Sequence, residues 1–240
     1  MVAALIVAAF FIGMLWTKVQ NYEKAGAAAK GAPVVANNND TTGNNAAPTP
    51  PAKITVDPVS ASDHVRGDRN SRVAMIEYSD LECPFCKEFH PTAKQMEAAY
   101  TGKVMWVFRH FPLDQLHSKA RNEAIASECA TKLGGEDKFW AFVDKVYEVT
   151  PGNNGLDPAQ LPVIAGQVGL NVDQFNTCLS SKQTASIVNA DSQSGLNAGI
   201  NGTPGNILLD TKTGATYSIP GAVPYDQLKS MIDNFIAGLN

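Results

Sequence analysis

Two cysteines separated by two residues, Cys83-Pro84-Phe85-Cys86, carry the chemistry most readily named in this chain. They follow the short apolar run Val73 to Tyr78 and open a stretch suited to a helix, so the first sulfur falls where a strand hands over to a helix. Unpaired backbone N–H groups at a helix start favour thiolate over thiol. At an unperturbed pKa of ~8.5 only about 3% of a thiol is ionised at pH 7, whereas at ~5 about 99% is. Such a shift favours the reduced pair by roughly 5 kcal/mol and makes its disulfide a better oxidant by on the order of 100 mV. The spacing predicts Cys83 as the attacking sulfur and Cys86, one turn in and buried, as the one that resolves a mixed disulfide. Two readings compete. Zinc needs two further ligands, yet Cys129 and Cys178 form no second knuckle. A purely structural disulfide is the other, and the first turn of a helix is an odd place for one.

Cys129 and Cys178 lie further along the chain. Once Cys83 and Cys86 pair, one connectivity remains for them, and closing it would stabilise the fold by roughly 4 kcal/mol. Such a bridge would also mark an oxidising compartment; two buried free thiols are the alternative. His64, His90, His110 and His117 show no metal-ligand spacing, and His90 is expected in a surface or capping role. The spacing of Asp63, Asp68 and Asp80 does not suggest calcium. No metal or organic cofactor is expected.

The elements that must position the pair are legible in outline. Val73 to Tyr78 and Val104 to Phe108 read as buried strands, with a helix between them that is expected to kink at Pro91. Pro84 suits the first helical position, where its missing N–H costs nothing. This β-α-β unit should have a right-handed crossover and parallel strands. About ninety residues of helical pattern follow, with Phe139, Phe142, Val143, Val146 and Tyr147 on one apolar face. Asp157-Pro158 reads as an N-cap followed by Pro, and Asp173 precedes Phe175, Cys178 and Leu179 in another short helix. Asn206 to Leu209 and Thr216 to Ile219 read as a hairpin, and Tyr225 to Ile236 as a closing amphipathic helix.

With 240 residues and a net charge of −4, the chain can bury a sizeable core but lacks the clustered cations of a nucleic-acid binder. Met1 to Trp16 is an uncharged apolar run spanning roughly 24 Å, slightly short of a ~30 Å hydrocarbon core. Residues 1–24 are read as an uncleaved membrane anchor, with a signal segment as the alternative. Lys18, Lys24 and Lys30 follow the run with no basic residue ahead of it, which by the positive-inside rule would hold the domain in the cytoplasm. The cysteine chemistry argues for export instead. Residues 25–53, rich in Ala, Asn, Gly, Pro and Thr, read as a flexible tether. Residues 54–240 read as the functional domain.

Glu77-Tyr78-Ser79-Asp80-Leu81-Glu82-Cys83-Pro84-Phe85-Cys86, with Gly202-Thr203-Pro204 far downstream, resembles the DsbA family of thioredoxin-fold thiol-disulfide oxidoreductases. The likeness runs from about Ile54 to the C-terminus, and the tethered form resembles membrane-anchored bacterial members. It implies an α/β thioredoxin-like fold with a helical insertion, about 113–198, between the second and third core strands. It makes Pro204 a cis-proline facing the sulfurs, with Pro84, Phe85 and the Thr203 backbone gripping an extended substrate chain. Glu77 matches an acidic residue that relays protons to the resolving cysteine; a strand-end salt bridge is its other reading. The strongest oxidants of the family carry His where this chain has Phe85, so a milder oxidant is expected here.

The resemblance further implies a monomer that puts disulfides into exported proteins with free thiols. It would work in the periplasm or on the outer face of the cytoplasmic membrane, with reoxidation by a quinone-linked membrane partner. A disulfide reductase or isomerase, and a non-catalytic peptide-binding module, are the rival readings.

Overall fold

Alternation and burial explain the sheet. In the computed structural model, which describes residues 54–239, the apolar run Val73–Ser79 forms β2, buried along its whole length. The run Val104–His110 forms β3, parallel to β2 with Met75 opposite Trp106 and Glu77 opposite Phe108. The helix between them, α1 (Pro84–Ala99), continues through Pro91 as a single element. Pro91 costs it one internal hydrogen bond, at the Lys87 carbonyl. The hairpin strands β4 (Gly205–Asp210) and β5 (Thr216–Ile219) complete the other side, β4 pairing antiparallel with β2.

A fifth strand escaped the sequence reading. β1 (His64–Arg66) pairs antiparallel with the free edge of β3, giving the order β1-β3-β2-β4-β5. Three residues, two of them charged or titratable, are too few for a period-2 signal. Only the waiting edge of β3 makes them a strand.

Five helices separate β3 from β4: α2 (Ala120–Gly134), α3 (Glu136–Val149), α4 (Gln160–Gln167), α5 (Val172–Ser181) and α6 (Ala185–Asn197). The chain closes with α7 (Tyr225–Ala237). This is the thioredoxin-like α/β arrangement with its helical insertion between the second and third core strands. Pro162 is tolerated because it falls in the first turn of α4, where no helical acceptor awaits its missing N–H. Asp157 caps the preceding turn rather than α4 itself, accepting from the Ala159 amide at 2.9 Å. Asn171 caps α5 by accepting from the Gln174 amide at 3.0 Å, and Asp173 lies in its first turn.

The two faces of the sheet carry two cores. On one, Met75, Trp106, Phe108 and Leu208 pack with Phe89 of α1, Phe139 and Val143 of α3, and Leu228 and Ile232 of α7. On the other, Ile76, Tyr78, Val107 and Ile207 meet Phe111 and Ala198. Gly195 of α6 lets that helix close on the second face, because a Cβ there would sit 2.6 Å from the Phe111 ring. The first core also holds both cysteines of the C-x-x-C pair. Among the described residues no helix is long and apolar enough to cross a membrane. The expected anchor, residues 1–24, and tether, residues 25–53, lie outside them.

Candidate active site

Cys83 is the N-cap of α1 and Pro84 its first residue, so the sulfur meets amides that no helical carbonyl has claimed. The Cys83 thiol is lowered to about 6. The hydrogen bond from the Cys86 thiol is the largest cause, opposed by burial; the Thr203 side chain and the amides of Cys86 and Phe85 add to it. By simple titration a group at about 6 is roughly 90% ionised at pH 7. Cys86 is pushed the opposite way, well above the usual thiol range, by burial first and then by its contact with Cys83 and the charge of Glu77. Cys83 keeps 4% of its surface exposed and Cys86 none. Access and ionisation thus single out the same sulfur.

Thr203 can serve Cys83 in either protonation state. The thiol donates to the Thr203 carbonyl at 3.4 Å. The buried Thr203 hydroxyl has no partner among the described residues, which leaves it free to donate to the sulfur once that ionises. The Thr203–Pro204 peptide bond is cis. Phe85 is 62% exposed, so an apolar ring stands in solvent beside Cys83.

Beneath the pair sits Glu77, fully buried on β2. Ser79 Oγ donates to its Oε1 at 2.6 Å and Trp106 Nε1 to its Oε2 at 2.9 Å. Burial pushes its carboxyl up to about 7, against those two hydrogen bonds and with help from the Cys83 charge. No cation pairs with Glu77 among the described residues, so the salt-bridge alternative has no partner. Ser79 also meets the Tyr147 hydroxyl at 2.8 Å and favours the ionised form of Cys86. A carboxyl poised near neutrality, a hydroxyl and a buried thiol are therefore neighbours.

Several contributors were not foreseen. Ser79 shares the face of β2 with Glu77 by period-2 alternation, a signal the sequence did offer. Tyr147 comes from the insertion, and no local pattern announces it. Glu82, just before Cys83, ties down the loop after α3: its carboxylate accepts from the amides of Gly155 and Leu156 at 3.1 and 3.0 Å. Its carbonyl accepts from the Asn153 amide at 2.7 Å. Gly152, at φ 77°, comes so close that a Cβ would lie 3.2 Å from the Pro84 ring.

His90 is not at the surface. It lies one turn beyond Cys86 on the inner face of α1, buried between Trp106 and Tyr147, with Nε2 2.6 Å from Asp144. Spacing placed it near Cys86, but only the insertion shows that this face is covered. Asp63 and Asp80 do not gather: Asp63 holds the Arg109 guanidinium at 2.7 Å and Asp80 lies 3.0 Å from His117. Cys129 and Cys178 are joined in a disulfide, with Cα atoms 5.9 Å apart.

The thioredoxin family model matches residues 60–234 of the chain. Pseudomonas aeruginosa DsbA2 superposes with a TM-score of 0.64 at 30% identity, covering 74% of this chain and 96% of that one. The chain belongs to the DsbA family of thioredoxin-fold proteins. Oxidised BdbD from Bacillus subtilis is similar at 25% identity and a TM-score of 0.65, over 76% of this chain and 97% of that one. This family and fold, with its cysteine pair at the head of α1, is that of a thiol-disulfide oxidoreductase. A further match is of another kind. The Na(+)/H(+) antiporter NhaA 3 of Salinispora tropica is 33% identical over 151 residues, 63% of this chain but 22% of that protein. The chain spans about a fifth of the length of the curated relatives it matches.

The site makes a direct electrostatic prediction. Thiolate absorbance of the reduced chain should titrate with a midpoint near 6, the value set for Cys83. Thr203→Val should raise that midpoint by about one pH unit, a hydrogen bond to a charged group being worth about 1.5 kcal/mol. A midpoint near an ordinary thiol value in the unaltered chain would remove the electrostatic basis of the site.

Proposed function

We propose that this chain is a dithiol oxidase that introduces disulfides into exported proteins. The observation that carries the reading is the opposed tuning of the two sulfurs, Cys83 lowered to about 6 and Cys86 raised. A thiolate of an unfolded substrate attacks Cys83 of the closed pair, and Cys86 leaves with the electron pair. Buried and poorly able to hold charge, Cys86 takes a proton from Glu77 through Ser79. A second substrate thiolate then attacks the substrate sulfur of the mixed disulfide and expels Cys83. That step is easy because Cys83 is a stable anion. The substrate leaves with a new disulfide, and the enzyme holds the two electrons as a reduced pair.

The Thr203 backbone, beside the sulfur, suits an extended chain of any sequence, and Pro84 and exposed Phe85 offer it apolar contact. The closed Cys129–Cys178 bridge favours an oxidising compartment outside the cytoplasm. We place the domain there, tethered by residues 25–53 to an anchor at residues 1–24, as a monomer whose reduced pair is reoxidised by a quinone-linked membrane partner.

Equilibrating the pair with glutathione buffers and trapping free thiols decides between this and a reductase or isomerase. An oxidase holds a potential well above that of structural disulfides in secreted proteins, below about −300 mV. A potential in that low range would reverse the direction. Phe85→His should raise the potential, because an imidazolium stabilises the Cys83 thiolate of the reduced state. One pH unit in that thiol corresponds to on the order of 30 mV. An unchanged or lower potential would show that the ring at position 85 does not tune the pair.

A further inference from the structure

Three donor atoms from three elements converge away from the cysteine pair. His64 stands on β1, His110 at the end of β3 and Glu128 on α2. Glu128 Oε1 lies 2.8 Å from His64 Nε2 and 3.1 Å from His110 Nε2, and the three atoms lie within 4.8 Å of one another. All three residues are buried. The His64 ring lies flat on Phe139, centroids 3.4 Å apart, with its outer nitrogen 3.0 Å from Glu136 Oε2. His110 stands edge-on to Phe108 and Phe139. Packing therefore fixes both rings so that each turns Nε2 to the shared point.

We propose that His64, His110 and Glu128 form a binding site for a divalent transition-metal ion of the zinc type. Two imidazoles and a carboxylate suit such an ion, whereas calcium and magnesium take oxygen ligands. Three protein ligands leave a fourth position for water. Tetrahedral bonds of ~2.0–2.1 Å put ligand atoms about 3.3 Å apart, so the two contacts to Glu128 open by about 0.2–0.5 Å and the two imidazole nitrogens, within 4.8 Å of each other, draw together by at most about 1.5 Å. Glu136 stands where a second carboxylate orients a ligating imidazole by accepting a hydrogen bond from its outer nitrogen. On binding, each imidazole coordinates through Nε2 and carries its one proton on Nδ1, any second proton passes to solvent, and no electrons move. The ion would tie the edge strand, a central strand and the first insertion helix together, one residue before the Cys129 bridge. Sequence spacing hid the site because its ligands come from positions 64, 110 and 128 and share no local motif.

The test uses the full, untagged chain with Cys83 and Cys86 oxidised, so that the pair supplies no thiolate ligands. After chelator treatment, Zn2+ is titrated by calorimetry and Co2+ by visible absorbance. One saturable equivalent, a raised melting temperature and cobalt bands of a four- or five-coordinate nitrogen–oxygen site are expected. His64→Asn and His110→Asn should each weaken binding by more than tenfold. Glu136→Gln, which keeps all three donors, should weaken it by about 10- to 100-fold. Absence of saturable binding overturns the proposal, as does undiminished affinity in folded His64→Asn and His110→Asn. If those two fail to fold, unchanged affinity in Glu136→Gln overturns it. The oxidised pair takes no part in the measurement, so its outcome is independent of the oxidase reading.

Discussion

A chain carrying Cys83→Ser should oxidise reduced, unfolded protein no faster than the uncatalysed background, while Cys86→Ala should accumulate as a mixed disulfide with a disulfide-bearing peptide. The two outcomes follow from one asymmetry. Cys83 is the sulfur with surface and with an anion held by the Cys86 thiol, the Thr203 hydroxyl and the first amides of α1. Serine there keeps the size and loses both the sulfur–sulfur bond and a leaving group ionised near neutrality. Cys86→Ala leaves the nucleophile in place and removes the only thiol in contact with it, so attack proceeds and release does not. Mass spectrometry of acid-trapped mixtures distinguishes the adduct from free enzyme. A Cys83→Ser chain that retained full biological activity would shift the reading to a peptide-binding module that grips a chain beside Thr203 without turnover. Absence of a Cys86→Ala adduct would show that Cys83 is not the sulfur exchanged.

The parts of this site that lie within a short span of sequence were readable before the structure, and the parts that cross the fold were not. Cys83, Pro84 and Cys86 announce a helix start because Pro belongs at a first helical position and a sulfur at its cap. The buried runs of β2 and β3 announce themselves because an uninterrupted apolar stretch of that length has few other places to go. Pro204 was placed by resemblance, since nothing local to Gly202-Thr203-Pro204 states the isomer of a peptide bond. Glu77 remained ambiguous because a carboxyl is a proton carrier or an ion-pair partner according to what faces it. Here a serine and a tryptophan face it, and burial rather than charge sets its affinity for protons. Tyr147, Asp144 and the Glu82-bound loop reach the site from the insertion, at sequence separations where no periodicity applies. The His64–Glu128–His110 cluster is the extreme case. β1 is too short to read as a strand, so its histidine could not be placed beside β3 at all.

Replacing both Cys129 and Cys178 by alanine should lower the stability of the chain by about 4 kcal/mol, the loop-closure entropy of a cross-link across a separation of 49 residues. For a domain of this size that corresponds to a melting temperature lower by roughly 8–16 °C. Both cysteines are buried, Cys129 in the middle of α2 and Cys178 in α5, with Phe175 and Phe142 packed in the same core. Lost packing therefore adds to the entropic term rather than relieving it. The double variant, rather than chemical reduction, is the proper comparison, because a reductant would open the Cys83–Cys86 pair as well. The active site should feel the change weakly. Its amides, Thr203 and Glu77 belong to α1, the segment before β4, and β2, none of which the bridge joins. The Cys83 midpoint near 6 should hold in the folded variant even as the melting temperature falls. A melt within about 2 °C of the parent would mean that the insertion is held by its helix packing and that the bridge constrains little. A large rise in the Cys83 midpoint would instead mean that the bridge holds the insertion against the site, through Tyr147 and the loop that Glu82 fastens.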